Sequence, residues 1–169
     1  VGSEPYNRPH RRGFDHSIVQ GGTGSDNWDP QQRYLPNTAQ VDWFEDGARA
    51  RMPARFYSSA YFVDRTIGYI DAGASSGKPF FAYVAFQANH VPVQAPQAFI
   101  DKYKGRYDAG WDVLRQQRRD KAASLGLVAP GTPFTTMATS KRWAELSEKD
   151  RRYQAREMEV YAAMADAMD

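Results

Sequence analysis

The sequence contains no cysteine. Three chemistries are thereby excluded from this chain: a disulfide framework, a thiolate metal site and a cysteine nucleophile. The compartment is left open. Long apolar runs are also missing, and none approaches the roughly 20 residues of a membrane-spanning helix. No charge of one sign dominates. The 22 Lys and Arg are interleaved with 20 Asp and Glu, for a formal net charge of +2, whereas a dedicated nucleic-acid binder carries a basic face. Histidine is scarce, with three in 169 residues, so each can be weighed separately. The chain opens on Val1 rather than a methionine, with no visible leader, and closes on Asp169 inside a helix-like pattern without a stop signal. Both ends read as interrupted, and the expectation is an internal fragment of a longer protein. What is present is ordinary for a globular domain, with 41% hydrophobic and 25% charged residues. The length suffices for one core rather than two.

Residues 1–56 are rich in Gly, Pro, Asn, Asp and Arg and lack sustained periodicity. Gly21-Gly22-Thr23-Gly24-Ser25 invites comparison with a phosphate-cradling loop, but no lysine follows at the required spacing and no apolar strand precedes it. It reads as a flexible surface loop. Val41 to Gly47 suggests a short strand or a hairpin closing on Gly47. Arg8, Arg11 and Arg12 form a small basic cluster. His10 and His16, with Asp15 between them, have a spacing that fits no standard metal motif.

From Ser58 to about Ala72 the pattern is helical, with Ala60, Val63, Ile67 and Ile70 at three- and four-residue steps and Ser58 or Ser59 as cap. The Gly73 to Gly77 region supplies the stop. Lys78-Pro79-Phe80-Phe81-Ala82-Tyr83-Val84-Ala85-Phe86 is then an apolar run of strand length. It turns abruptly polar at Gln87, Asn89 and His90. A helix feeding a fully apolar strand predicts an α/β fold with a parallel strand covered on both faces, and ligands bind beyond the carboxyl ends of such strands. After Pro92 and Pro96, a short helix to about Tyr103 is expected. A second is capped by Asp108 and closed by Gly126, its Arg115, Arg118, Arg119 and Lys121 forming a mainly solvated face. Residues 128–142 read as a turn-rich linker. A last helix opens on the capping box Ser147-Glu148-Lys149-Asp150 and carries the stripe Tyr153, Val160, Tyr161, Met164 and Met168.

Several stretches together resemble the middle of a type I arylsulfatase of the alkaline phosphatase-like superfamily. They are Arg12-Gly13-Phe14-Asp15 with the glycine-rich segment and Trp28-Asp29-Pro30; Phe56-Tyr57-Ser58-Ser59; Lys78 through His90, similar to the family's strand and Ala-Pro-His turn; Tyr107-Asp108-Ala109-Gly110-Trp111-Asp112-Val113-Leu114-Arg115; and Met158 to Met164. They keep the family's order and span nearly the whole chain. The resemblance implies a partial alkaline phosphatase-like sulfatase fold with a central parallel strand, flanking helices and long loops. It also implies one catalytic domain, loop-rich over 1–56, helix-strand-turn over 57–95 and helical over 96–169.

The implied reaction is hydrolysis of sulfate esters, either small molecules or sulfated glycans, with no nucleic-acid partner. Formylglycine would be the nucleophile and calcium the Lewis acid. Both the formylglycine, converted from a cysteine, and the metal would lie outside this chain, so the chain alone is expected to be inactive and to provide no metal ligand. His90 matches the turn histidine that contacts the sulfate and the leaving-group oxygen, a role suited to imidazole, which exchanges protons near neutrality. Asn89 stands where the family usually has proline. Gln87, Asn89 and Gln94 are candidates for substrate binding and for orienting His90. Two other readings stay open: a phosphodiester or phosphonate hydrolase of the same superfamily, and a silent sulfatase-like binding protein.

Overall fold

The computed structural model describes residues 5–22, 24–34, 41–133 and 141–169. Thr23 and linker residues 134–140, like the chain start at Val1, lie outside them. The chain has two compact units, residues 1–94 with 167–169, and residues 95–166.

In the first unit, β1 (Ile18–Gln20), β2 (Trp43–Glu45) and β3 (Ala48–Arg49) form an antiparallel sheet in that order, with Val19 opposite Phe44 and Glu45 opposite Ala48. The expected hairpin is present. Its two-residue loop, Asp46-Gly47, has φ of +49° and +89°, the left-handed pair that matches the twist of the flanking strands. Asp46 tolerates this because its carboxylate accepts from Ser17 N–H at 2.6 Å and meets His16 Nδ1 at 3.1 Å. His16 and His10 thus serve the hairpin: the His10 ring occupies the space a Cβ on Gly47 would need. Arg8 lies over the Phe44 ring at 3.4 Å and donates to Gly47 O. The core is Val41, Trp43, Met52 and Phe56, with Ile18, Tyr61 and Phe62 packed against it. Trp43 meets Phe56 edge-on at 5.7 Å, and its indole N–H donates to Pro30 O at 2.9 Å. Burying a side chain such as Phe56 or Met52 contributes about 1.5–3 kcal/mol.

Helix α1 spans Ser58–Gly73, close to expectation, but two details differ. Tyr57 is the N-cap residue and no side chain caps the helix, because the Ser58 hydroxyl is committed to Asn27 Oδ1 at 2.6 Å. The aliphatic stripe Ala60, Val63, Ile67 faces outward, while Tyr61 and Phe62 on another face meet the core. The helix has two apolar faces, and periodicity alone does not rank them. A 3₁₀ turn, Ala74–Ser76, and Gly77 at φ +64° end this segment.

The apolar run 79–86 departs most from expectation. It belongs to no sheet among the described residues, and Phe80, Phe81 and Tyr83 are 68%, 80% and 73% exposed. A strand exists only where a neighbour answers its N–H and C=O groups, and here no described segment does. The sheet that is present is antiparallel.

In the second unit, α2 (Gln97–Asp101), α3 (Gly110–Ser124) and α4 (Glu148–Asp166) pack with α2 and α3 each against α4. Ser147 caps α4 as expected, its hydroxyl accepting from Asp150 N–H at 3.1 Å. Asp108 does not cap α3; Ala109 holds that place without a side-chain bond. Instead Gly110, at φ +81°, lets the Trp143 ring approach its backbone, and Asp112 accepts from Trp143 N–H at 2.9 Å. On α3, Arg118 and Lys121 are exposed and Arg115 and Arg119 are half-buried. The buried line on α4 is Ala155, Glu159, Ala163 and Met164, whereas Tyr153 and Tyr161, expected in the stripe, are exposed. The small alanines permit close helix approach. The Glu159 carboxylate is stabilised there by Gly105 N–H at 2.6 Å and Arg156 at 2.7 Å. No helix among the described residues is long and apolar enough to cross a membrane.

Candidate functional site

Residues 87–94 form a turn after the apolar run, with His90 near its middle. His90 N–H donates to Gln87 O at 2.8 Å, closing the turn. The imidazole Nδ1 lies 2.9 Å from Val91 O. A carbonyl only accepts, so Nδ1 carries the proton, and Nε2 is the nitrogen left for a ligand. His90 is exposed. It borders an open pocket of about 240 Å³ lined also by Gln20, Gly24, Phe86, Gln87 and Val91. Among the described residues it is the pocket's one ionisable side chain.

The glycine-rich segment, expected as a flexible surface loop, is in part a buried support for this turn. Gly24, Ser25 and Asn27 are buried, and Ser25 bridges to Arg33. Ser25 Oγ donates to Gln87 Oε1 at 3.2 Å, and Gln87 Nε2 donates back to Ser25 O at 3.3 Å. At the other end of the turn, Gln94 Oε1 accepts from both Asn27 N–H (3.0 Å) and Asn27 Nδ2 (3.1 Å), while Gln94 Nε2 donates to Asp26 Oδ2 at 2.5 Å. Asn27 Nδ2 also donates to Pro92 O at 3.2 Å. Partial burial pushes the Asp26 carboxyl up, but the bonds from Gln94 and from Trp28 and Asp29 N–H outweigh it and hold the group below its ordinary value.

Of the residues singled out from sequence, Gln87 and His90 line the pocket. Asn89 is half-buried in the same turn, and Gln94 lies at its far end on Asp26 and Asn27. Sequence reasoning gave Asp26 and Asn27 no role, and read Ser25 as part of a flexible loop and Ser58 as a helix cap. The Asp-x-x-Asp-Pro spacing from Asp26 signals turn chemistry, but nothing in it reveals a partner some 65 positions away. Among the described residues no group of three or more His, Asp or Glu side chains converges as a metal site would require.

A family model described as Sulfatase matches residues 3–169. An uncharacterised sulfatase of Schizosaccharomyces pombe is 35% identical over 178 residues, covering all of this chain and 32% of that protein. An arylsulfatase of Klebsiella aerogenes is 32% identical over 170 residues, covering all of this chain and 36% of that protein. Arylsulfatase J of Mus musculus is 28% identical over 134 residues, or 79% of this chain and 21% of that protein. The chain spans about a third of the length of the first two relatives. The family's fold is the α/β, alkaline phosphatase-like one. With a match that runs through both compact units and the histidine turn alike, the chain belongs to the sulfatase family.

Proposed function

We propose that this chain is an internal part of one sulfatase catalytic domain, and that the complete enzyme hydrolyses sulfate esters with His90 at the reacting centre. The observation that carries this reading is the position of His90: exposed, at a pocket, with its tautomer fixed by Val91 O. Full coverage by an arylsulfatase relative supports the substrate class. In this reading the protonated ring donates Nε2–H to the oxygen of the departing alkoxide or phenoxide, which accumulates charge as the S–O bond breaks. Asn89 is assigned to the substrate beside it. The side-chain amides of Gln87 and Gln94 are committed to residues 25–27, so they hold the turn.

Formylglycine, which is made from a cysteine, and calcium are expected of the complete enzyme, and both are assigned to parts of it outside this cysteine-free chain. The exposed side chains of Phe80, Phe81 and Tyr83 and the outward stripe of α1 are, in this proposal, surfaces that the rest of the domain covers, with 79–86 as a central parallel strand covered on both faces. The deciding experiment compares the complete protein on an aryl sulfate and on an aryl phosphodiester. Faster turnover of the sulfate is expected. Preference for the phosphodiester would replace the reading with the related hydrolase, and binding without turnover of either would make it a silent binding protein.

A further inference from the structure

We infer that Asn27 is a positioning residue for His90. This inference rests on the proposed role of His90. Asn27 is 1% exposed, yet every polar group it owns is used. Its Oδ1 accepts from Ser58 Oγ at 2.6 Å, and its backbone O from Ser58 N–H at 2.9 Å. Its backbone N–H and Nδ2 both reach Gln94 Oε1, and Nδ2 also reaches Pro92 O. Asn27 therefore joins the first turn of α1 to the far end of the histidine turn.

The connection to the imidazole is short. Pro92 O is held by Asn27, and the preceding carbonyl, Val91 O, is the group that fixes His90 Nδ1. Displacing Pro92 swings the peptide that carries Val91 O, and with it the acceptor that sets the ring's direction and tautomer. The near end is fastened separately by the reciprocal Ser25–Gln87 pair. Held at both ends, the turn presents His90 from a fixed frame even though the ring is exposed. Only an amide fits the hub. Nδ2 must donate to two carbonyl-type acceptors while Oδ1 accepts a hydroxyl proton, and aspartate would place a second acceptor against Pro92 O and Gln94 Oε1.

The role predicts a loss that depends on the leaving group. A poor leaving group such as phenoxide needs the proton from His90, whereas nitrophenoxide departs with little help. A misplacement of about 1 Å can cost about 100-fold. In the complete enzyme, Asn27→Asp should lower kcat on phenyl sulfate by roughly 10- to 100-fold and on nitrophenyl sulfate by less than about threefold, with KM changed little on either. His90→Ala should show the same selectivity, more strongly. If Asn27→Asp does not fold, Gln94→Met removes the acceptor from the other side and should move the ratio in the same direction. Equal losses on both substrates, or none, in a folded Asn27 or Gln94 variant overturn the inference while His90→Ala still discriminates. If His90→Ala itself fails to discriminate, the reading of His90 falls, and the positioning role with it.

Discussion

Replacing Gly110 by alanine should damage the helical unit by far more than its one added methyl suggests. The residue sits at φ +81°, where an L side chain costs about 1–2 kcal/mol. The new Cβ would lie 2.1 Å from Cδ2 and 2.3 Å from Cγ of Trp143, well inside any tolerable contact. The ring cannot easily retreat. It meets Trp111 edge-on at 4.8 Å, Trp143 N–H donates to Asp112 Oδ2 at 2.9 Å, and Trp143 O accepts from Arg151 Nε at 3.1 Å. Overpacking of this kind adds about 1–3 kcal/mol, so the sum is about 2–5 kcal/mol. The assay is amide hydrogen exchange on the complete protein, read in peptides from α3 and from residues 143–151. At about 1.4 kcal/mol per factor of ten, protection there should fall by about thirtyfold or more. The Trp143→Ala background should remove the steric part and leave the backbone part. Unchanged protection in Gly110→Ala would show that the close seat of the Trp143 ring on the Gly110 backbone does not hold this unit together.

Two further outcomes follow from buried or restrained carboxylates. Glu159→Ala removes the acceptor of Gly105 N–H and the partner of Arg156, and should cost about 1.5–3 kcal/mol in urea unfolding, as expected for hydrogen bonds to a charged group; Glu159→Gln, which keeps one acceptor, should cost less. Asp26 has a folded-state pKa held below its ordinary value, so it contributes stability that is complete above the unfolded carboxyl range and is lost as pH falls through the folded value. Thermal melts of wild type and Asp26→Asn across the acid range should therefore converge as pH drops below about 4, and parallel curves would contradict the assignment.

The sequence announced local structure better than it announced what covers what. The Asp-Gly turn of the β2–β3 hairpin, the start of α4 at Ser147 and the left-handed Gly126 are local events, fixed by a few adjacent residues. Tertiary competition explains the misses. Ser58 looks like a helix cap until Asn27 takes its hydroxyl, and Asp108 looks like one until Gly110 and Trp143 organise that end. The apolarity of 79–86 was legible, but apolarity does not reveal whether a neighbouring strand is present. At the site, His90 could be singled out because it follows an apolar run and fits a family motif. Its supports could not, since Ser25, Asp26 and Asn27 reach it through bonds spanning more than sixty positions.

The role of His90 as the proton donor is tested by sulfate release from phenyl sulfate by the complete protein and by its His90→Ala variant, with folding of both checked by thermal melt. General acid catalysis contributes about 100- to 10,000-fold. A loss of kcat within that range is expected in a His90→Ala variant that melts like wild type. A folded His90→Ala enzyme that releases sulfate at the wild-type rate would contradict that role.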